Sequence, residues 1–317
     1  MKDFNGKIAV VTGGGTGMGR ELARQLAAEG CHVATCDIID ENLARTLELC
    51  EAEAAHGARV TAHRCDVADE AQVLAFRDAV QDRHQTSHIN LLFNNAGIGG
   101  GGSFIQSSRE EWERTFNISW NGVYYFARAF MPLLLKSSEG HIINTSSVNG
   151  FRATLGENIP HTAYSAAKFA IKGFSEALIN DFRFNAPHLK VSVVMPGHVG
   201  SEIASNTGRI LGRKEPKDWP DEEVDKIRAS WKQAGIEQPE LDNDQIRNAI
   251  QQQIENFRNA PVTPAQAAAI ILQGVKDDRW RILVGRDAEA LDRAVRKAPL
   301  RTYDPDFGEL VKAEWEE

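Results

Sequence analysis

The chain has 317 residues, of which 42% are hydrophobic and 25% charged, with a formal net charge of −8. That hydrophobic share supports a proper core, while the acidic balance excludes a nucleic-acid-binding face, which needs clustered cations. No uncharged apolar run is long enough to span a bilayer, so no membrane partner is expected. Cys31, Cys36, Cys50 and Cys65 show neither a C-x-x-C nor a paired His/Cys spacing, which points to reduced, mostly buried thiols rather than a metal centre or a disulfide framework. Met1-Lys2-Asp3 leads straight into a strand, with no signal peptide. A cytoplasmic setting is expected.

Taken in chain order, short apolar strands alternate with amphipathic helices. Strands are predicted at Ile8–Thr12, His32–Asp37, Arg59–Asp66, Ile89–Asn94, Gly140–Ser146 and Lys190–Met195. The helices between them are predicted near Met18–Gly30, Glu41–His56, Glu70–His84, Arg109–Lys136 and Thr162–Asn185. Strands spaced by helices of that length imply βαβ units and a parallel sheet. With right-handed crossovers the simplest topology is α/β and doubly wound, a Rossmann-type sheet.

The character then changes. Leu211–Asn259 is rich in charge, Gln and Asn, with Trp219 and Trp231 as its large apolar residues. Helices are predicted there over roughly Asp221–Ala234 and Asp242–Arg258. A last helix from Pro264 to about Asp277 and a strand Trp280–Val284 follow, and 286–317 reads as a C-terminal extension with one helix and an irregular, acidic end. The organisation is thus one Rossmann-type domain over 1–317 that carries a helical insertion over 202–260. Because the insertion leaves the carboxyl end of a strand, where doubly wound sheets bind ligands, it reads as a substrate lid. A solvated helical elaboration is the plainer alternative.

Three patterns carry chemistry. Tyr164 and Lys168 stand four apart on one helix and share a face. A cation fixed beside a phenol favours the phenolate and brings its proton into working range. The pair Ser146-Ser147 closes a buried-looking strand nearby. Thr12-Gly-Gly-Gly-Thr-Gly-Met-Gly19 follows the first strand and opens the first helix. Gly13, Gly17 and Gly19 let that backbone approach a pyrophosphate, which the helix N-terminus attracts. At the end of the second strand, Asp37 stands where an acidic residue reads the adenosine ribose. A carboxylate there accepts from a free 2′-hydroxyl and repels a 2′-phosphate, and Ile38-Ile39-Asp40 supply no cation for that phosphate. NAD is therefore expected over NADP, with Asp40 suiting the role of helix N-cap better than Asp37. Asp66, in Cys-Asp-Val at the third strand's end, is a candidate for the adenine edge.

These motifs resemble the short-chain dehydrogenase/reductase family over residues 5 to about 201. The family's T-G-x-x-x-G-x-G is matched by Thr12–Gly19, its N-N-A-G by Asn94-Asn-Ala-Gly97, its active-site serine by Ser147, its Y-x-x-x-K by Tyr164 to Lys168, and its P-G stretch by Pro196-Gly197-His-Val199-Gly-Ser201. Region 202–260 matches only as an enlarged version of the family's variable substrate loop. The resemblance implies a catalytic set of Ser147, Tyr164, Lys168 and Ser119. It further implies cofactor contacts from Gly13, Thr16, Gly17, Met18 and Gly19, and from Asp37, Asp66 and Val67. Asn94, Ala96 and Gly97 would add to these, together with Tyr164, Lys168, Pro196, Gly197, Val199 and Ser201. Tyr164 would exchange a proton with a secondary alcohol or ketone while hydride passes between substrate carbon and nicotinamide. Ser147 would hold the substrate oxygen, Lys168 would lower the tyrosine pKa and bind the nicotinamide ribose, and backbone groups of Gly197–Val199 would fix the carboxamide. A homodimer or homotetramer built on the fifth and sixth helices is also implied.

Two departures stand out. The family's usual asparagine three residues before the fifth-helix glycine is replaced by Ser119, which keeps the main-chain carbonyl that holds a relay water; Asn117 and Asn121 are weaker stand-ins. Ser147 and Tyr164 are also further apart than usual, and the extra segment Arg152–His161 is expected to rim the substrate. His161 and His198 read as rim or packing histidines. The helical spacing of Trp112, Phe116, Trp120 and Tyr124 reads as core and subunit interface. The expected activity is NAD-dependent dehydrogenation of a small-molecule alcohol, bulky and apolar in view of the insertion, with no metal. Its rivals are an NADPH-dependent carbonyl reductase and a non-catalytic NAD-binding regulator.

Overall fold

Ile8 to Thr12 are buried at every position, and successive side chains of a strand point to opposite faces. Ile8 and Val10 accordingly join one apolar core while Ala9 and Val11 join another. Such a continuous apolar run marks a strand covered on both sides. The structure, a computed structural model, describes residues 1–55, 57–154, 159–233 and 241–316. Among them the strands are β1 (Ile8–Thr12), β2 (His32–Asp37), β3 (Val60–Arg64), β4 (Leu91–Asn94), β5 (Gly140–Thr145), β6 (Leu189–Pro196) and β7 (Arg281–Val284). They form one parallel sheet in the order β3-β2-β1-β4-β5-β6-β7. The strand order reverses between β1 and β4, which opens a crevice at their carboxyl ends.

Helices α1 (Gly17–Ala28), α2 (Asp40–Glu53), α3 (Glu70–His84), α4 (Arg109–Phe116), α5 (Gly122–Leu135) and α6 (Thr162–Asn185) lie in the first two-thirds. The rest of the chain adds α7 (Ile203–Ile210), α8 (Asp221–Gln233), α9 (Asn243–Asn256), α10 (Pro264–Lys276), α11 (Arg286–Lys297) and α12 (Phe307–Glu316). Leu22 and Leu26 of α1 and Ile271 and Leu272 of α10 cover one sheet face. Phe76 of α3, Phe126 and Phe130 of α5 and Phe182 of α6 cover the other. Several helix starts are written locally. Asp69 accepts the Ala71 and Gln72 N–H groups ahead of α3, and Thr263 and Gln266 form a capping box at α10, with Pro264 at its first turn.

Three expectations need correction. The helix predicted over Arg109–Lys136 is split by a π turn, Asn117–Asn121, where the Gly122 N–H reaches back to the Asn117 carbonyl. The extension is not irregular after its first helix. α12 buries Phe307 against the Arg152 guanidinium, 5.1 Å from its ring centroid, and Glu314 is buried against Arg293 and Lys297 rather than solvated. Asp40 is the first residue of α2 and Ile39 takes the cap position, without a side-chain bond. The predicted helix ends at His56 and Ala234, and residues 155–158 of the proposed rim, lie outside the described residues. No helix among the described residues is long and apolar enough to cross a membrane.

Candidate active site

The crevice begins where β1 ends. The Thr12 hydroxyl accepts the N–H groups of Asn95 (2.9 Å) and Ala96 (3.0 Å), which ties the ends of β1 and β4 together. Gly13 has φ +66°, and a Cβ there would lie 2.8 Å from the Ala96 Cα; one at Gly19 would lie 2.1 Å from the Gly13 carbonyl oxygen. Only glycine lets the turn pass this close to the neighbouring strand end. α1 then starts at Gly17 with no side-chain cap from Thr16 and no acidic residue in its first turn, which leaves N–H groups and the positive dipole end for an anion.

An open cleft runs from this turn along the carboxyl ends of the strands. Its walls include Gly13, Thr16, Gly17 and Met18, then Asp37, Asp66 and Val67, then Ala96, Gly97 and Ser201. The Asp37 carboxylate accepts from Gly15 (3.0 Å), Ile38 (2.8 Å) and Ile39 (3.1 Å), while burial pushes its pKa above the ordinary value. A Cβ on Gly15 would lie 2.7 Å from its Oδ2. Glycine turn, bare helix start and ribose-distance carboxylate together fit a dinucleotide. Asp66 lines the cleft as an ion pair, with Arg114 of α4 2.6 Å from its carboxylate and also in the cleft wall. Asn94 does not line the cleft. It is buried, and its amide donates to Asn144 Oδ1 (2.8 Å), which links β4 to β5, while its neighbour Asn95 faces the cleft.

Beside the cleft, behind Gly97, the end of β5 delivers Ser147 and α6 delivers Tyr164 and Lys168. Ser147 starts a short 3-10 turn, Val148–Gly150, and accepts the Asn149 N–H at 3.2 Å. The preceding Ser146 hydroxyl donates to the Lys168 carbonyl (2.7 Å), which locks strand end to helix. The Ser147 hydroxyl near the Tyr164 phenol lowers its pKa, but the larger effect of burial pushes it up. This corrects the expectation of a lowered phenol in the site as it stands. Lys168 is 3% exposed, donates to the Thr145 carbonyl at 2.9 Å, and has its Nζ 5.2 Å from the Tyr164 ring centroid. Burial brings its pKa down to about 8. A Cβ on Gly97 would lie 3.4 Å from Lys168 Nζ and 3.7 Å from Ser119 Oγ. Ser147, Tyr164, Lys168 and Ser119 thus gather behind Gly97, which itself lines the cleft. The Ser119 hydroxyl donates to the Ile98 carbonyl at 3.4 Å from within the π turn.

Other features escape the sequence. His161 is 8% exposed and its ring stacks on Tyr164 at 4.6 Å, which fixes one side of the phenol. The segment from Pro196 to Ser201 is held by the end of the chain: the Gly197 N–H donates to the Val284 carbonyl (2.9 Å) and the His198 N–H to Asp287. Val199 pairs with Val262, and the His198 ring lies 4.5 Å from Phe257 at the end of the insertion. α7 touches the cofactor turn directly, the Asn206 amide donating to the Thr16 hydroxyl (3.0 Å). Of these residues the sequence singled out His161 and His198 as rim or packing histidines, whereas nothing local pairs Asn206, Phe257 or Asp287 with this end of the sheet.

The family model for the short chain dehydrogenase matches residues 7–210. SadH of Mycobacterium tuberculosis, named as an oxidoreductase, is 33% identical over 299 residues, 93% of this chain and 92% of that protein. Levodione reductase of Leifsonia aquatica is 28% identical over 215 residues, covering 68% of this chain and 77% of its own. Among solved structures, a short chain dehydrogenase/reductase from Burkholderia phymatum in complex with NAD superposes with a TM-score of 0.74 at 28% identity, covering 96% of this chain and 98% of its own.

Proposed function

The chain belongs to the short-chain dehydrogenase/reductase family, and from that premise we propose that it is an NAD-dependent oxidoreductase interconverting a secondary alcohol and its ketone. The observation that carries this reading is the cluster of Ser147, Tyr164 and Lys168, which lies behind Gly97 in the wall of a cleft that also holds Asp37. Bound NAD would supply the hydride acceptor and NADH the donor. Gly13, Gly17 and the bare start of α1 would hold its pyrophosphate and Asp37 its adenosine ribose. The Burkholderia relative's NAD supports the same choice, and the Asp37 carboxylate disfavours a 2′-phosphate.

Tyr164 is the proton-transferring group of this proposal. With its pKa raised by burial, the phenol is protonated near neutrality, the state needed to donate to a ketone oxygen. Taking a proton from an alcohol requires the phenolate, which the Lys168 ammonium favours. With a pKa of about 8, that lysine is charged near neutrality. Ser147 would hydrogen-bond the substrate oxygen and stabilise charge as it develops there. Val199 would present its backbone to the carboxamide, because the N–H groups of Gly197 and His198 are already engaged.

Exposed Phe104, Ile105 and Ile159 flank the α6 start and favour a bulky, apolar substrate under a lid formed by the insertion. The half-exposed Tyr124, Leu135 and Phe169 and the exposed Phe184 on α5 and α6 favour a homodimer or homotetramer in the cytoplasm. The test is to supply NAD or NADP with a panel of bulky secondary alcohols and follow absorbance of the reduced cofactor. NAD-dependent turnover is expected. NAD binding without turnover on any alcohol would favour a nucleotide-binding regulator, and turnover with NADP alone would reverse the cofactor assignment.

A further inference from the structure

The C-terminal extension reaches back into the proposed nicotinamide end of the cleft through one side chain. β7 pairs with β6 so that Val284 lies opposite Pro196; the chain then turns at Gly285 (φ +102°) into α11. Asp287, in the first turn of α11, folds its carboxylate back over that turn. A Cβ on Gly285 would meet its Oδ1 at 2.4 Å, and a Cβ on Gly197 would meet the same carboxylate at 2.1 Å. The carboxylate accepts the His198 N–H. A charged acceptor on a backbone N–H makes a hydrogen bond stronger than a neutral one, and the α11 N-terminus favours the charge where it sits. Two glycines leave room for this one carboxylate, and both are needed for it to reach the loop.

We propose that Asp287 is a positioning residue for the nicotinamide half of the cofactor, setting the backbone of Gly197–Val199 against which the carboxamide binds. This rests on the NAD reading above. Asp287 does not touch the reacting atoms in this account; it acts through the His198 peptide. The glycine turn of α1 and the Asp37 corner are built from β1, β2 and α1, whereas the Asp287 carboxylate lies against Gly197, His198 and Gly285, so the adenosine and pyrophosphate half of the site is not held by Asp287 directly.

That separation gives the test. Dissociation constants for NAD and for ADP-ribose, which lacks nicotinamide, are measured by calorimetry on the full chain. Asp287→Ala is expected to weaken NAD about tenfold, the scale of one lost charge-assisted hydrogen bond, and to leave ADP-ribose within about twofold. Asp287→Asn keeps an acceptor for the His198 N–H and is expected to restore most of the NAD affinity. Gly197→Ala displaces the carboxylate from the opposite side and is expected to reproduce the Asp287→Ala pattern, so the proposal stays testable if one variant folds poorly. Equal weakening of both ligands would make Asp287 merely structural and overturn the proposal, as would unchanged NAD affinity in both variants. Wild-type protein that binds ADP-ribose no less tightly than NAD would overturn it too, while failure of the wild type to bind either ligand would reject the cofactor reading itself.

Discussion

Lys168 places an ammonium in a site that is 3% exposed, beside a phenol, with a main-chain carbonyl as acceptor. Its pKa is about 8 in the folded protein against an ordinary 10.5. Below pH 8 both states carry the proton and the folded state bears the desolvation cost in full. Between 8 and 10.5 the folded protein sheds the proton first, so its stability relative to the unfolded chain climbs with pH, by on the order of 3 kcal/mol in total. Lys168→Met should therefore raise the unfolding free energy at pH 7 by about 1–3 kcal/mol, flatten that climb, and cut turnover by ~10²-fold or more. Urea unfolding at pH 7 and pH 10 measures the first two; a variant less stable at pH 7 would contradict the reasoning. Asp37 carries the cofactor choice in the same local way. Asp37→Ala should lower kcat/KM with NAD and raise the NADP-to-NAD ratio at least about tenfold, read from initial rates with each cofactor; an unchanged ratio would move the choice elsewhere.

Among the elements, two helical glycines decide between backbone entropy and packing. Gly173 in α6 has open space where a Cβ would go, whereas at Gly274 in α10 a Cβ would lie 2.6 Å from Ile282 of β7. An exposed helical Gly→Ala change stabilises by roughly 0.5–1 kcal/mol, but overpacking costs about 1–3 kcal/mol. Thermal melts should thus show a higher Tm for Gly173→Ala and a lower one for Gly274→Ala. Element positions were largely legible because strands such as Ile8–Thr12 carry continuous apolar runs and α6 begins and ends where the periodicity does. The π turn at Asn117–Asn121 was not, since one extra residue per turn leaves the local pattern helical. α12 was missed because the end of the chain is acidic, while its buried Glu314 is neutralised by cations from α11, seventeen and twenty-one residues away. In the site, residues named by a contiguous motif could be found, as with Tyr164 and Lys168. Arg114 against Asp66 and Asp287 against His198 could not, because each pair is joined only by the fold. Of the motif Asn94-Asn-Ala-Gly97, the last three residues line the cleft, and which asparagine faces it depends on the pleat of β4.

Across the whole molecule, the doubly wound order brings the ends of β1, β4, β5 and β6 to one crevice, and the insertion and the C-terminal extension both return to its rim through Asn206, Phe257 and Asp287. The parts added to the sheet are therefore tied to the site. The central claim is that this crevice transfers hydride with Tyr164 as the proton-transferring group. Its most direct measurement compares wild type and Tyr164→Phe for NAD affinity and for turnover on an alcohol the wild type oxidises. Phenylalanine keeps the ring stacked on His161 and lacks only the hydroxyl, so NAD should bind within about twofold while turnover falls by roughly 10³-fold or more. A Tyr164→Phe protein that turns over like the wild type would contradict the account.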